Sequence, residues 1–272
     1  MGIKSPFTGA VEDSPERPES LRVYVVNVDF GMAPNVTDGI CTLATCKPAL
    51  RAYTDLGRQW IVGMGGAKSR TPDPYKPGGL RTENWKDRLI YVMAPEERLT
   101  YDEYYNDPRF QSRIPKAEND PGDNIYFQDN TGKYRVTERF NDVHKVQAGK
   151  PFAGFMDNDM RNGPYVLVAR KFWYFGDQAP SLYEQASVSE GLAETLRDTF
   201  RGHKIVAEPN QVTEFSDWLH QNFKPGIHGK PRQEYLLEKN MLTSAGRAKV
   251  LAGKTLSGRK QGRFANSPDS MK

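Results

Sequence analysis

The stretch from Val28 to Gly66 constrains the chain most, because a buried strand, a proline-interrupted helix and a glycine-ended strand must follow one another there with almost no slack. Leading into it, Val23, Tyr24, Val25, Val26 and Val28 form a nearly continuous apolar run, the pattern of a strand covered on both faces. Gly31 to Asn35 turns the chain. Ile40, Leu43 and Leu50 recur at helical spacing, with Asp38 able to cap the start, Pro48 to kink or split the helix, and Gly57 to end it. Gln59 to Met64 reads as the second strand. Gly63, Gly65 and Gly66 then remove side chains where another backbone or a ligand comes close.

Further elements follow by the same logic. Ala67 to Asp87 reads as a long polar loop rich in Gly and Pro that carries Lys68, Arg70, Lys76 and Arg81. Arg88 to Met93 reads as a third strand. Thr100 and Glu103 make a capping box, and Asn106, Asp107 and Pro108 look like a second helix start. Asn124 to Phe127 and Tyr134 to Val136 straddle a turn at Asp129 to Gly132 and predict a hairpin. Tyr165 to Ala169 and Phe172 to Phe175 add two strands, and Ser189 to Phe200 and Thr213 to Phe223 are amphipathic helices. The expectation is an α+β fold with a mixed, strongly curved or barrel-like sheet and several short helices. Its divisions are a flexible arm over 1–20, a main domain over 21–205, a helical extension over 206–239 and a basic flexible tail over 240–272.

Charge and cysteine usage narrow the function classes. Of the 272 residues 26% are charged and the net charge is +4, but the distribution matters more, since Lys239 to Arg263 holds seven basic residues and no acidic one. No apolar run reaches the roughly 20 residues of a membrane span, and Met1 to Ser20 is unlike a signal peptide, so a cytoplasmic protein without a membrane partner is expected. The only two cysteines, Cys41 and Cys46, exclude a disulfide scaffold. Asp157 and Asp159 begin like a calcium loop, but Arg161 stands where an oxygen ligand is needed, so a turn is predicted there. His144, His203, His220 and His228 share no metal spacing. Neither a metal nor a cofactor is expected.

The candidate ligand groups are cations and rings. Lys47 and Arg51 flank the start expected at Pro48 and suit a phosphate. Tyr91, Tyr104, Tyr126 and Trp173 could stack a base, with Asp107, Arg109 and Asp123 as polar contacts at the pocket edge and Arg113 as a further arginine for phosphate. Cys46, Asp107, Asp123 and His144 are the catalytic candidates, with Cys41 as the alternative thiol.

FGMAPN (30–35), CTLATCKPALR (41–51), WIVGMGG (60–66), LIYVM (89–93), LTYDEYYNDPRFQSR (99–113), GDNIYF (122–127) and FWYFGD (172–177) occur in the order seen in the second type of nucleotide modification associated domain, which the chain resembles over roughly 21–180. The resemblance implies association with systems that make, or respond to, modified nucleobases in phage and bacterial DNA. The succession of elements is also similar to the small barrels of the PUA-like class, which include readers of modified bases. A module that binds a nucleotide or a modified base in DNA is therefore expected. An enzyme acting on a nucleotide or base, and an interaction subunit tethered by the basic tail to DNA or to a partner modification enzyme, are the alternatives.

Overall fold

The computed structural model describes residues 17–72, 75, 80–117, 120–137, 155–199 and 202–234. In chain order the elements are β1 (Ser20–Val26), β2 (Cys41–Leu43), α1 (Pro48–Tyr53), β3 (Gln59–Gly65), β4 (Ser69–Pro72), β5 (Leu80–Glu83), β6 (Leu89–Met93) and β7 (Glu97–Thr100). They continue through α2 (Tyr101–Asn106), β8 (Tyr126–Gln128), β9 (Tyr134–Val136), α3 (Phe155–Asn162), β10 (Tyr165–Ala169), β11 (Phe172–Tyr174), α4 (Glu190–Arg197), β12 (His203–Val206), α5 (Pro209–Asn222) and β13 (Gly226–Ile227).

A six-stranded mixed sheet runs β12-β1-β3-β6-β11-β13, with β1 parallel to β3 and antiparallel to β12. A second sheet runs β2-β10-β7, and the two are halves of one bent ribbon. β6 pairs with β11 and β7 with β10, while Ala94 N–H to Lys171 O (3.0 Å) and Glu96 N–H to Val168 O (2.9 Å) carry the ladder round the corner. The fold is mixed α+β with several sheets and short helices, but the described sheets do not close into a barrel, because β12 and β13 end the larger sheet as separate edges.

The strand period explains how two cores form. Along β10, Leu167 and Ala169 face the main core with Cys41 and Leu43 of β2, whereas Val166 and Val168 face a second core with Tyr101, Tyr104, Phe110, Ile125 and Tyr126. The main core lies against β1, β3 and β6, whose Val23, Ile61, Val62, Ile90 and Val92 are fully buried, and is closed by Leu192 and Leu196 of α4 and Phe215 and Leu219 of α5. Among the described residues no helix is long and apolar enough to cross a membrane.

Several local expectations change. The helix expected from Ile40 splits: Cys41–Leu43 is a strand because Thr42 alternates with two core residues, and only Pro48–Tyr53 is helical. Asp38 does not cap a long helix but sits in a left-handed conformation (φ 55) within a single 3₁₀ turn. The long polar loop contains the β4–β5 hairpin. Asp159 lies in α3, not in a turn. The glycines of β3 are filled by the chain itself, since a Cβ on Gly63 would lie 2.4 Å from the Tyr91 ring and one on Gly65 2.2 Å from the Trp85 carbonyl oxygen. The capping box is present, with Glu103 N–H donating to Thr100 Oγ1 and the Thr100 N–H to Glu103 Oε2.

Candidate functional site

α1 organises the site although it has only six residues. Cys46 and Lys47 just before it are left-handed (φ 62 and 48), which swings the chain out of β2, and Pro48 presets the first helical residue. The carbonyl groups at its other end, which a helix leaves without partners, are taken by arginines from two strands. Arg98 Nε of β7 donates to Arg51 O at 3.1 Å and its Nη2 to Thr54 O, while Arg22 Nη2 of β1 donates to Tyr53 O.

A pocket of about 400 Å³ opens beside this helix. Lys47, Pro48, Ala49, Leu50 and Tyr53 form one wall, Asn162 at the end of α3 a second, and Gly202 and His203 at the start of β12 a third. The Lys47 ammonium lies 5.2 Å from the Tyr24 ring centroid and donates a long 3.4 Å bond to Gly202 O. Burial lowers its pKa below the usual lysine value. Tyr53 is 68% exposed and offers a free ring face at the rim. His203 stands 2.9 Å from Arg22 Nη1 through its Nε2.

Of the groups expected from the sequence, Lys47 alone lines this pocket. Arg51 points the other way and is 0% exposed. Its guanidinium donates to Cys46 O (2.9 Å), Tyr101 Oη (2.7 Å), Gly163 O (2.5 Å), Tyr165 O and Asp159 Oδ1 (2.7 Å). Two cations beside a helix start suit an anion in sequence, but here α1 is pressed onto α3 and β10, so the arginine is enclosed and spends its donors inside the protein. Tyr126 is buried beside it and donates to Asp159 Oδ2 at 3.1 Å.

The expected edge contacts form a second internal cluster. Arg113 Nη1 donates to Thr42 Oγ1 (2.5 Å), Thr42 Oγ1 to Asp123 Oδ2 (2.5 Å), and Tyr104 Oη to Asp123 Oδ1 (2.7 Å), all of them buried. Burial raises the Asp123 pKa, and the Arg113 charge pulls it back. Asp107 and Arg109 lie at the surface in a different place, where Arg109 forks onto both oxygens of Glu97 (2.7 and 2.8 Å) and onto Asp107. Tyr91 and Trp173 are fully buried in the main core, Tyr91 bonded to Tyr24 Oη at 2.7 Å and Trp173 packed 5.3 Å from Trp60. These rings have no face left for a base. Cys41 is buried and its thiol pKa raised; Cys46 is exposed, yet the protein packed round its sulfur, with Asp159 adding to the effect, raises its thiol too. Neither setting favours a thiolate. His144, the tail over 240–272 and residues 1–16 lie outside the described residues.

A family model described as nucleotide modification associated domain 2 matches residues 19–239. The chain belongs to this family. No curated protein and no solved structure matches it. The match runs beyond the 21–180 segment that carries the sequence resemblance, so the nucleotide modification associated domain includes His203 and every other residue of the pocket.

Sequence reasoning missed two residues that line the pocket of this domain, His203 and Tyr53, and Arg22, which holds both from behind. Arg22 is an interruption in an apolar strand, the one signal that was available; His203 shares no spacing with the other histidines that would mark it. His203 also gives a pH test. Burial first, then the Arg22 and Lys47 charges, hold its pKa below the usual histidine value. The folded state therefore binds this proton less readily than the unfolded chain. The corresponding stability is present above about pH 6.5 and lost as pH falls below it. Denaturation midpoints between about pH 7.5 and 5 are expected to fall more steeply for the native chain than for His203→Gln, and parallel profiles would contradict the assignment.

Proposed function

We propose that the chain is a nucleotide-binding module of DNA base modification systems, taking the phosphate of its ligand on Lys47 and His203 and resting the base on Tyr53. The observation that carries this reading is the pairing of a half-buried ammonium, with no ion-pair partner among the described residues, and an exposed aromatic ring on one pocket of nucleotide size. A cation so placed keeps its charge for a ligand, and a base stacks on a ring that is already exposed at little cost in reorganisation. Family membership supports the same class of ligand.

Arg51, Arg113, Asp123, Tyr91, Tyr104, Tyr126 and Trp173 are internal groups of the fold in this proposal, not part of the pocket's lining. Titration of thymidine 5′-monophosphate at fixed salt is the test. Lys47→Glu is expected to weaken binding by roughly tenfold to a hundredfold, the range for losing a charge-assisted hydrogen bond. Equal affinity of the variant and the native chain would overturn the phosphate assignment.

A further inference from the structure

We infer that the pocket is built for a phosphate monoester, as on a mononucleotide or a phosphorylated chain end, and that Arg22 is the positioning residue that sets its donors. The inference rests on the nucleotide reading of the pocket given above.

Arg22 is only 7% exposed, and each nitrogen of its guanidinium is used inside the protein. Nε donates to Gln59 Oε1 at 2.6 Å, Nη2 to the Tyr53 carbonyl and Nη1 to His203 Nε2 at 2.9 Å. Gln59 is held in turn, donating to Ser20 Oγ at 2.9 Å and accepting the Asp55 N–H at 3.0 Å. One side chain thus ties together two pocket walls, α1 through Tyr53 and β12 through His203. A guanidinium has no acceptor and keeps its proton, so His203 Nε2 must accept. The neutral imidazole is thereby fixed as the Nδ1–H tautomer, and the ring can offer the pocket a donor only from Nδ1.

The charge of the pocket follows. Lys47 and Arg22 form no ion pair among the described residues, and Arg98 adds a further positive influence on Arg22 that Asp55 opposes. Lys47 and His203, the basic side chains on the pocket, are therefore donors backed by positive charge. A phosphodiester inside a strand brings one negative charge and must leave the site in two directions. A monoester brings about −1.5 to −2 at neutral pH and three terminal oxygens, and continues on one side only. The charges of Lys47 and Arg22, unpaired among the described residues, suit the second charge.

The experiment compares thymidine 5′-monophosphate, thymidine, the dinucleotide TpT, and a short oligonucleotide with and without a 5′-phosphate, on the full chain. Thymidine 5′-monophosphate is expected to bind at least roughly tenfold more tightly than thymidine or TpT, as loss of a charge-assisted contact implies. The two oligonucleotides distinguish a chain end from a free nucleotide: preference for the phosphorylated one supports the monoester seat in both settings. ¹⁵N NMR of the native chain is expected to show His203 as the Nδ1–H tautomer at pH 7, and Arg22→Lys to lose that fixed tautomer together with affinity. Equal binding of TpT and the monophosphate would overturn the monoester inference. An Nε2–H tautomer or an imidazolium in the native chain would overturn the role of Arg22, whatever the variant does. Should no nucleoside or nucleotide bind, the nucleotide reading falls by itself, while titration of inorganic phosphate with retention of the Nδ1–H tautomer would still support a seat for this anion.

Discussion

Arg51→Met is expected to destabilise the fold by about 3–5 kcal/mol, the cost of removing one partner of a buried ion pair. Asp159 would be left at 2% exposure with hydrogen bonds from Tyr126 and the Cys46 backbone but no counter-charge among the described residues, and the carbonyl groups of Cys46, Gly163 and Tyr165 would lose their donor together. Because those carbonyls belong to the segment before α1, the end of α3 and the start of β10, the loss also loosens the wall on which the pocket stands. Thermal unfolding is expected to move down by on the order of 10 °C for a chain of this size. Arg51→Lys does not restore stability, since a point charge cannot reach acceptors spread round a planar fork. The double variant Arg51→Met, Asp159→Leu is expected to recover part of the loss, because it removes the stranded charge as well as its partner. A midpoint for Arg51→Met within about 1–2 °C of the native value would show that the pair contributes nothing.

The sequence disclosed the strands of the large sheet well, because Val23 to Val26, Gln59 to Met64 and Leu89 to Met93 are apolar runs that no other element can bury. It disclosed the cap of α2 because a capping box is a local device that carries its own geometry. It did not disclose β2, β7, β12 or β13. Each has two to four residues and exists only because a longer strand supplies a ladder, information held at the other end of the chain. The same limit decided the site. Lys47 and Arg51 share a local pattern and look equivalent in sequence, but α1 turns one toward the pocket and the other onto α3. Which side of a short helix is covered depends on Asp159, more than a hundred residues later. Rings such as Tyr91 and Trp173 are amphipathic in composition, and only the packing of strands on both sides shows that their faces are spent.

Asp123→Ala is the second substitution with a large expected effect, again about 3–5 kcal/mol, and it tests the other internal cluster. Arg113 is 1% exposed and its Nε has no hydrogen-bond partner among the described residues, so the guanidinium depends on Thr42 Oγ1, the Thr37 and Ile40 carbonyls and the negative charge that Asp123 supplies through Thr42. Removing the carboxylate leaves a buried cation without its counter-charge and strands the hydroxyl protons of Thr42 and Tyr104. Asp123→Asn keeps an acceptor for Tyr104 but puts an amide NH2 where Thr42 Oγ1 donates, so a smaller loss of about 1–3 kcal/mol is expected. The two variants also separate by pH. Burial raises the Asp123 pKa despite Arg113, so the folded chain holds this proton more readily than the unfolded one. Its contribution is full below about pH 3.9 and declines as pH rises through the raised folded value. Asp123→Asn removes this decline, and its stability relative to the native chain should improve with rising pH across that window in urea titrations. If Asp123→Ala unfolds within about 0.5 kcal/mol of the native chain, the cluster of Thr42, Tyr104, Arg113 and Asp123 does not hold the second core against α2.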